Sequence, residues 1–238
     1  MGLAAALPLI GCAVDDPEEL GIAEQTVGDP SPDQVPLDPT TIPRFAHELT
    51  IPRVFAPTVI TDRGRVIRHE YTVNVVQTES QMLPPGFPPT RVLAYSGPVK
   101  IAGSTATEVV ATSPGPVFDN TRGIPALVRW RNAITGPHFL PIDPTLHWAN
   151  PGTIERPAPP FAAFPPGYPG AQLPVGIVTH NHGLVVVPQN DGTAEEWFTS
   201  SFHRGPSFNT RDYLEPNDQP STQLFYHDHT MGMTRISL

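Results

Sequence analysis

The sequence predicts an all-β fold, and three observations carry that expectation. Proline supplies 32 of the 238 residues, far above the average usage of about 5%, and a ring that removes a backbone donor interrupts helices wherever it falls. Hydrophobic residues make up 39% and charged residues only 16%, which suits a packed β-rich domain joined by proline-bearing loops. The clearest periodic run, His69-Glu70-Tyr71-Thr72-Val73-Asn74-Val75-Val76, alternates with a period of two, the pattern of a half-buried strand. A chain of 238 residues has room for one large domain, or one domain with an extended tail.

Residues 1–13 are apolar and end in Leu9-Ile10-Gly11-Cys12-Ala13. The stretch is too short to span a bilayer as a helix and reads as the end of a secretion signal. Its last part resembles a bacterial lipobox, which implies a lipid on Cys12 as the mature N-terminus; an apolar leader with an incidental cysteine is the plainer alternative. No Lys or Arg precedes the run, a departure that leaves room for an upstream start. Export follows from this reading, to the cell envelope by a lipid anchor or to the extracellular space, and any membrane contact would run through that lipid alone.

Residues 14–41 are acidic, proline-dotted and free of aromatic side chains. Such a segment buries too little apolar surface to offset its ordering entropy, so a flexible tether is expected. Eight acidic and no basic residues precede Arg44, which leaves 23 − 8 = 15 acidic against 14 basic side chains in the remainder, a net charge of −1 out of the total −9. The domain expected at 42–238 is therefore nearly neutral. It lacks the basic stripe that nucleic-acid binding needs.

Sustained apolar content begins with Ile42, Phe45, Leu49, Ile51 and Phe55. In the first strand, Tyr71, Val73 and Val75 fall on one face and are assigned to the core. Pro84-Pro85-Gly86-Phe87-Pro88-Pro89 is a loop, followed by a strand at 90–95. Val109 and Val110 lead to the turn signal Ser113-Pro114-Gly115-Pro116. Leu127, Val128 and Trp130 mark a strand within 124–134. Residues 151–174 are so rich in proline and glycine that a surface loop is expected.

The chemistry is carried by two His-x-His pairs. His180 and His182 end a β-type run closed by Gly183, and His227 and His229 follow Leu224, Phe225 and Tyr226, whose apolar content on both parities predicts a strand buried on both faces. Residues two apart in a strand point to one side, with Cα atoms roughly 6.5 Å apart. Two such strands side by side bring four imidazoles into one pocket. Imidazole suits Cu, Zn, Fe and Ni, so the spacing does not choose the metal.

His180-Asn181-His182-Gly183 and Tyr226-His227-Asp228-His229 resemble the first two copper motifs of the multicopper oxidases, closest to the bacterial spore-coat laccase and bilirubin oxidase branch. Supporting stretches are Arg129-Trp130-Arg131-Asn132, His138-Phe139-Leu140-Pro141-Ile142-Asp143, Glu196-Trp197-Phe198, and Met231, Thr234 and Arg235 after the second pair. The resemblance implies a cupredoxin-like Greek-key β-barrel or sandwich and copper as cofactor. His180 would bind the type 2 copper, His182 and His227 one copper of the type 3 pair, and His229 the other. In the family this cluster reduces O2 to water with electrons from a type 1 copper that oxidises phenols, pigments or metal ions. Asp191 matches the family's acidic residue near the type 2 copper, where a carboxylate orients water and passes protons; as part of Asn190-Asp191-Gly192 it equally fits a turn. His47, His69, His138, His147 and His203 are assigned no ligand role, and Trp197 and Phe198 are assigned to the core.

The family's two later copper motifs do not occur in the sequence, and no cysteine follows Cys12 to ligate a type 1 copper. The resemblance therefore implies an N-terminal portion whose cluster is completed by missing C-terminal domains or by a complementing chain, and which by itself is inactive. It also implies that the domain lacks its closing strand, leaving an unpaired edge. A non-enzymatic copper-binding lipoprotein, or one subunit of a split oxidase, are the alternatives.

Overall fold

The computed structural model of the protein describes residues 37–46, 48–140, 142, 175–205 and 207–237. The expectations for Cys12, for residues 14–36, for His47 and His147, and for the loop at 151–174 lie outside the described residues. The unit that begins at Thr40 carries every strand among them. In chain order these are β1 (Thr58–Asp62), β2 (Arg65–Ser80), β3 (Thr90–Lys100), β4 (Thr107–Thr112), β5 (Ala126–Asn132), β6 (Thr179–His182), β7 (Asp212–Glu215) and β8 (Phe225–Asp228). The described residues are thus nearly all-β, and their two sheets do not close into a barrel.

The larger sheet runs β4-β3-β2-β5-β7, with β1 pairing β2 as well. Strand β2 organises it. His69 and Glu70 pair with both β1 and β5, whereas Asn74 and Val75 pair with both β3 and β5. Hence β1 and β3 follow one another along one edge of β2, and β5 lies parallel along the other. The β1–β2 connection is Arg63-Gly64 with φ of 47° and 79°, the left-handed pair that a two-residue hairpin turn requires.

Alternation places the core where the sequence puts it. Tyr71, Val73 and Val75 on β2 and Ala126, Val128 and Trp130 on β5 are all buried, and their outward neighbours include Arg129 and Arg131, which pair with Glu70 and Asp212 respectively. Trp197 and Phe198 are buried too. Strand β3 extends to Lys100, beyond the expected end near Tyr95. Ser96-Gly97-Pro98 has turn-like composition, yet the strand runs through it because a Cβ at Gly97 would lie 3.0 Å from the Thr72 carbonyl oxygen and 3.1 Å from the Phe55 ring. Glycine permits that close approach.

Of the apolar residues that open the domain, Phe55 reaches the core, whereas Phe45, Leu49 and Ile51 are 103%, 94% and 83% exposed; residues 48–53 enter no strand, and strand-like bonding begins where the Arg53 carbonyl accepts the Val117 N–H. One expectation is corrected. Strand β8 is not buried on both faces. Phe225 is 59% exposed and Asp228 fully buried, since β6 and β8 form a two-stranded ribbon covered on one side only. That covered side rests on aromatic rings: Tyr226 lies 4.7 Å from Tyr95, 5.3 Å from Phe118 and 6.0 Å from Trp130, and its hydroxyl donates to the Pro116 carbonyl at 2.6 Å.

Candidate metal centre

The register of the ribbon decides which side chains meet. His180 pairs with His227, His182 with Phe225, Asn181 with Tyr226 and Thr179 with Asp228. Directly opposed residues of an antiparallel pair share a face. His180, His182 and His227 therefore project together from the outer face, and Asn181, Tyr226, Thr179 and Asp228 turn inward. Ring centroids of the three histidines are 5.6 to 5.7 Å apart. His229, just past β8, stacks on His180 at 4.8 Å and lies 5.4 Å from His227.

One nitrogen from each of His180, His182 and His227 lies within 4.8 Å of the other two. Imidazoles bound to one ion at about 2.0–2.1 Å place their nitrogens at most ~4.2 Å apart, so a small rotation of the rings brings the three nitrogens to within reach of one ion. The proton positions suit this. His227 Nδ1–H donates to the Asp228 carbonyl at 2.7 Å, His229 Nδ1–H to the Gly192 carbonyl at 3.0 Å, and His180 Nδ1–H to the Asp191 carbonyl. Each bond fixes the tautomer that leaves Nε2 as a free lone pair. His182 differs, turning Nδ1 toward His227 Nε2 at 3.5 Å. Burial, helped by the neighbouring imidazoles, lowers the His227 pKa, favouring the neutral form that a metal requires.

The loop beside the cluster supplies two of those carbonyls. Pro188–Asn190 form one 3-10 turn and Asp191 closes it, its N–H donating to the Pro188 carbonyl. The Asp191 carboxylate stands 3.4 Å from His180 Nδ1. Asp191 thus ends a turn, and its carboxylate lies beside the His180 ring. Gly192 follows at φ 69°, and a Cβ there would come within 2.1 Å of the Thr179 carbonyl oxygen.

Sequence reasoning missed the residues that brace the ribbon from within. Asp228 accepts the Val178 N–H at 2.9 Å and the Thr230 hydroxyl at 2.9 Å, and burial raises its pKa to about 6. Its inward direction was readable, because the middle residue of His-x-His on a strand must oppose the imidazoles. Glu215 on β7, which accepts from Asn181, has no local signature. His138 is buried with Nδ1 accepting the Leu140 N–H at 3.1 Å, a local structural use; His69 is partly buried and His203 exposed.

No protein-family profile matches the chain. It is similar to a laccase of Bacillus subtilis (strain 168), 30% identical over 199 residues, which are 83% of this chain and 32% of that protein. Similarity to multicopper oxidase LPR1 homolog 1 of Oryza sativa subsp. japonica reaches 38% identity over 141 residues, 59% of this chain and 21% of that protein. Among solved structures, a laccase from Pediococcus acidilactici aligns at TM-score 0.45 and 21% identity, covering 81% of this chain and 28% of that one. The chain spans about a third or less of these relatives' lengths.

Proposed function

Because the chain belongs to the multicopper oxidase family and corresponds to the N-terminal portion of its members, we propose that it contributes half of a trinuclear copper centre. The carrying observation is three histidine nitrogens within 4.8 Å of one another, with His229 stacked beside them. In this reading His180 holds the type 2 copper, His182 and His227 one type 3 copper, and His229 the other. Bound copper would supply one-electron chemistry, taking electrons from a phenolic, pigment or metal-ion donor and passing four of them to O2 to give water.

The chain's own residues do the holding and the proton handling. The Asp191, Asp228 and Gly192 carbonyls keep Nδ1 protonated on His180, His227 and His229, so that Nε2 is presented as a lone pair in the tautomer a metal requires. The Asp191 carboxylate beside His180 is assigned to orienting water and relaying protons. A type 1 copper needs a thiolate, and the sequence has no cysteine after Cys12, so the proposal places that site, and the rest of the cluster, in further domains or a complementing chain; alone, this chain would not turn over substrate. Export and a lipid on Cys12 belong to the same proposal.

Copper content measured on the purified protein tests the reading. His180→Ala and His227→Ala are each expected to lose most of it, and unchanged content in both would refute the site. Three imidazoles suffice to hold one ion, which favours a second reading, a copper-binding protein without oxidase activity. Oxidation of a phenolic dye when the chain is supplied with a complementing portion separates the two.

A further inference from the structure

The inner face of the ribbon carries a link that the imidazoles do not explain. Asn181 lies between His180 and His182 and faces inward. Its Nδ2 donates to Glu215 Oε1 at 3.1 Å. Glu215 is 3% exposed and sits on β7, opposite Ala126 of β5, so this bond ties the ribbon to the larger sheet directly behind the histidine strand. A second bond starts from the same strand. Asn190 Nδ2 donates to the Leu214 carbonyl at 2.8 Å, and Asn190 precedes Asp191, whose carbonyl receives the His180 Nδ1–H. Strand β7 thus holds His180 twice, through its strand and through its loop.

Asn181, Glu215 and Tyr226 line one recess of about 710 Å³, and within that lining the Asn181 amide is tied to the Glu215 carboxyl. A carboxyl in such a place is also costly. Burial pushes the Glu215 pKa up to about 7, and an apolar side chain of similar volume would avoid that expense. The arrangement sacrifices stability for a fixed acceptor at one point.

We infer that Glu215 is a positioning residue for the metal centre: by accepting the Asn181 amide it clamps β6 to β7 and holds His180 and His182 in place on that strand. This rests on the metal reading of those histidines. A side chain that orients ligands through one intermediary is expected to tune metal affinity by about 10- to 100-fold. A residue serving only general stability would lower the melting temperature without moving the bound metal's spectrum.

Copper(II) alone, titrated into the full chain against a chelating competitor and followed by electron paramagnetic resonance, tests it. Glu215→Leu is expected to weaken binding at least ~10-fold and to shift the copper spectrum. Glu215→Gln, whose amide oxygen still accepts from Asn181, should retain wild-type affinity and spectrum. Asn181→Leu should match Glu215→Leu, and the double variant should be no weaker than either single one. Wild-type affinity and spectrum in Glu215→Leu, or losses that add in the double variant, would overturn the inference. Should Glu215→Leu fail to fold by circular dichroism, Asn181→Ala is judged against the same two outcomes. Copper uptake that is absent, or indifferent to His180→Ala, removes the metal reading itself. The imidazole ¹⁵N–¹H correlations of His180 and His182 then decide: a shift in Asn181→Ala supports the clamp, and unchanged signals overturn it.

Discussion

Gly192 has a left-handed backbone, φ 69°, and an added Cβ would collide with the Thr179 carbonyl at 2.1 Å. Gly64, at φ 79°, has nothing within 4 Å of the corresponding point. The two positions share a conformational demand and differ in space. Gly64→Ala should cost about 1–2 kcal/mol, the penalty of the left-handed region for an L-residue. Gly192→Ala should cost more, because backbone must move as well, and should displace the Gly192 carbonyl from His229. Urea unfolding of both variants checks this, and equal losses would contradict it. At this scale the outer face was legible: strand alternation alone predicts that His180 and His182 project together. Glu215 was not, since a lone glutamate on a four-residue strand signals nothing until tertiary pairing sets it behind Asn181.

Strand pairing adds effects that no single side chain has. The β6–β8 ribbon is short, and one carboxylate joins it to the preceding segment: Asp228 accepts from the Val178 N–H and the Thr230 hydroxyl while fully buried. Asp228→Ala strands both donors, so a loss of about 2–4 kcal/mol is expected by chemical denaturation. Glu215 gives a pH signature. Its pKa rises from 4.5 to about 7 on folding, so between those values the native state binds more protons than the unfolded one and stability falls as pH rises. Glu215→Gln has no such proton to lose. Relative to wild type its melting temperature should climb from about pH 4.5, levelling off above about 7; a gap constant from pH 4 to 8 would refute the shift. Elements with clean alternation, β2 and β5, were readable in sequence. The end of β3 was hidden by Gly97 and Pro98, and β1 and β7 lack the His-x-His pair that marks the equally short β6 and β8.

Sheet order belongs to the whole molecule and was not readable at all: nothing local tells β2 to pair in parallel with β5 across more than 50 intervening positions, His69 with Ala126. Besides the Asn181–Glu215 bond, aromatic packing joins the two sheets. Trp130 of β5, 2% exposed, contacts Tyr95 of β3 at 5.6 Å and Tyr226 of the ribbon at 6.0 Å. With such a shared core, the ribbon has no apolar support of its own, and a two-stranded hairpin is marginal in water. The sheets should therefore melt together. Urea titrations of the copper-loaded protein, followed by far-ultraviolet circular dichroism and by the copper absorption, should give one midpoint, because the histidines lose their register only when the larger sheet opens. Trp130→Ala should lower that midpoint by the equivalent of about 3–5 kcal/mol, and it should lower both signals equally. A copper signal lost well before the sheet would mean that the ribbon opens by itself, and that its hold on the larger sheet lies in the Asn181–Glu215 bond rather than in the aromatic core.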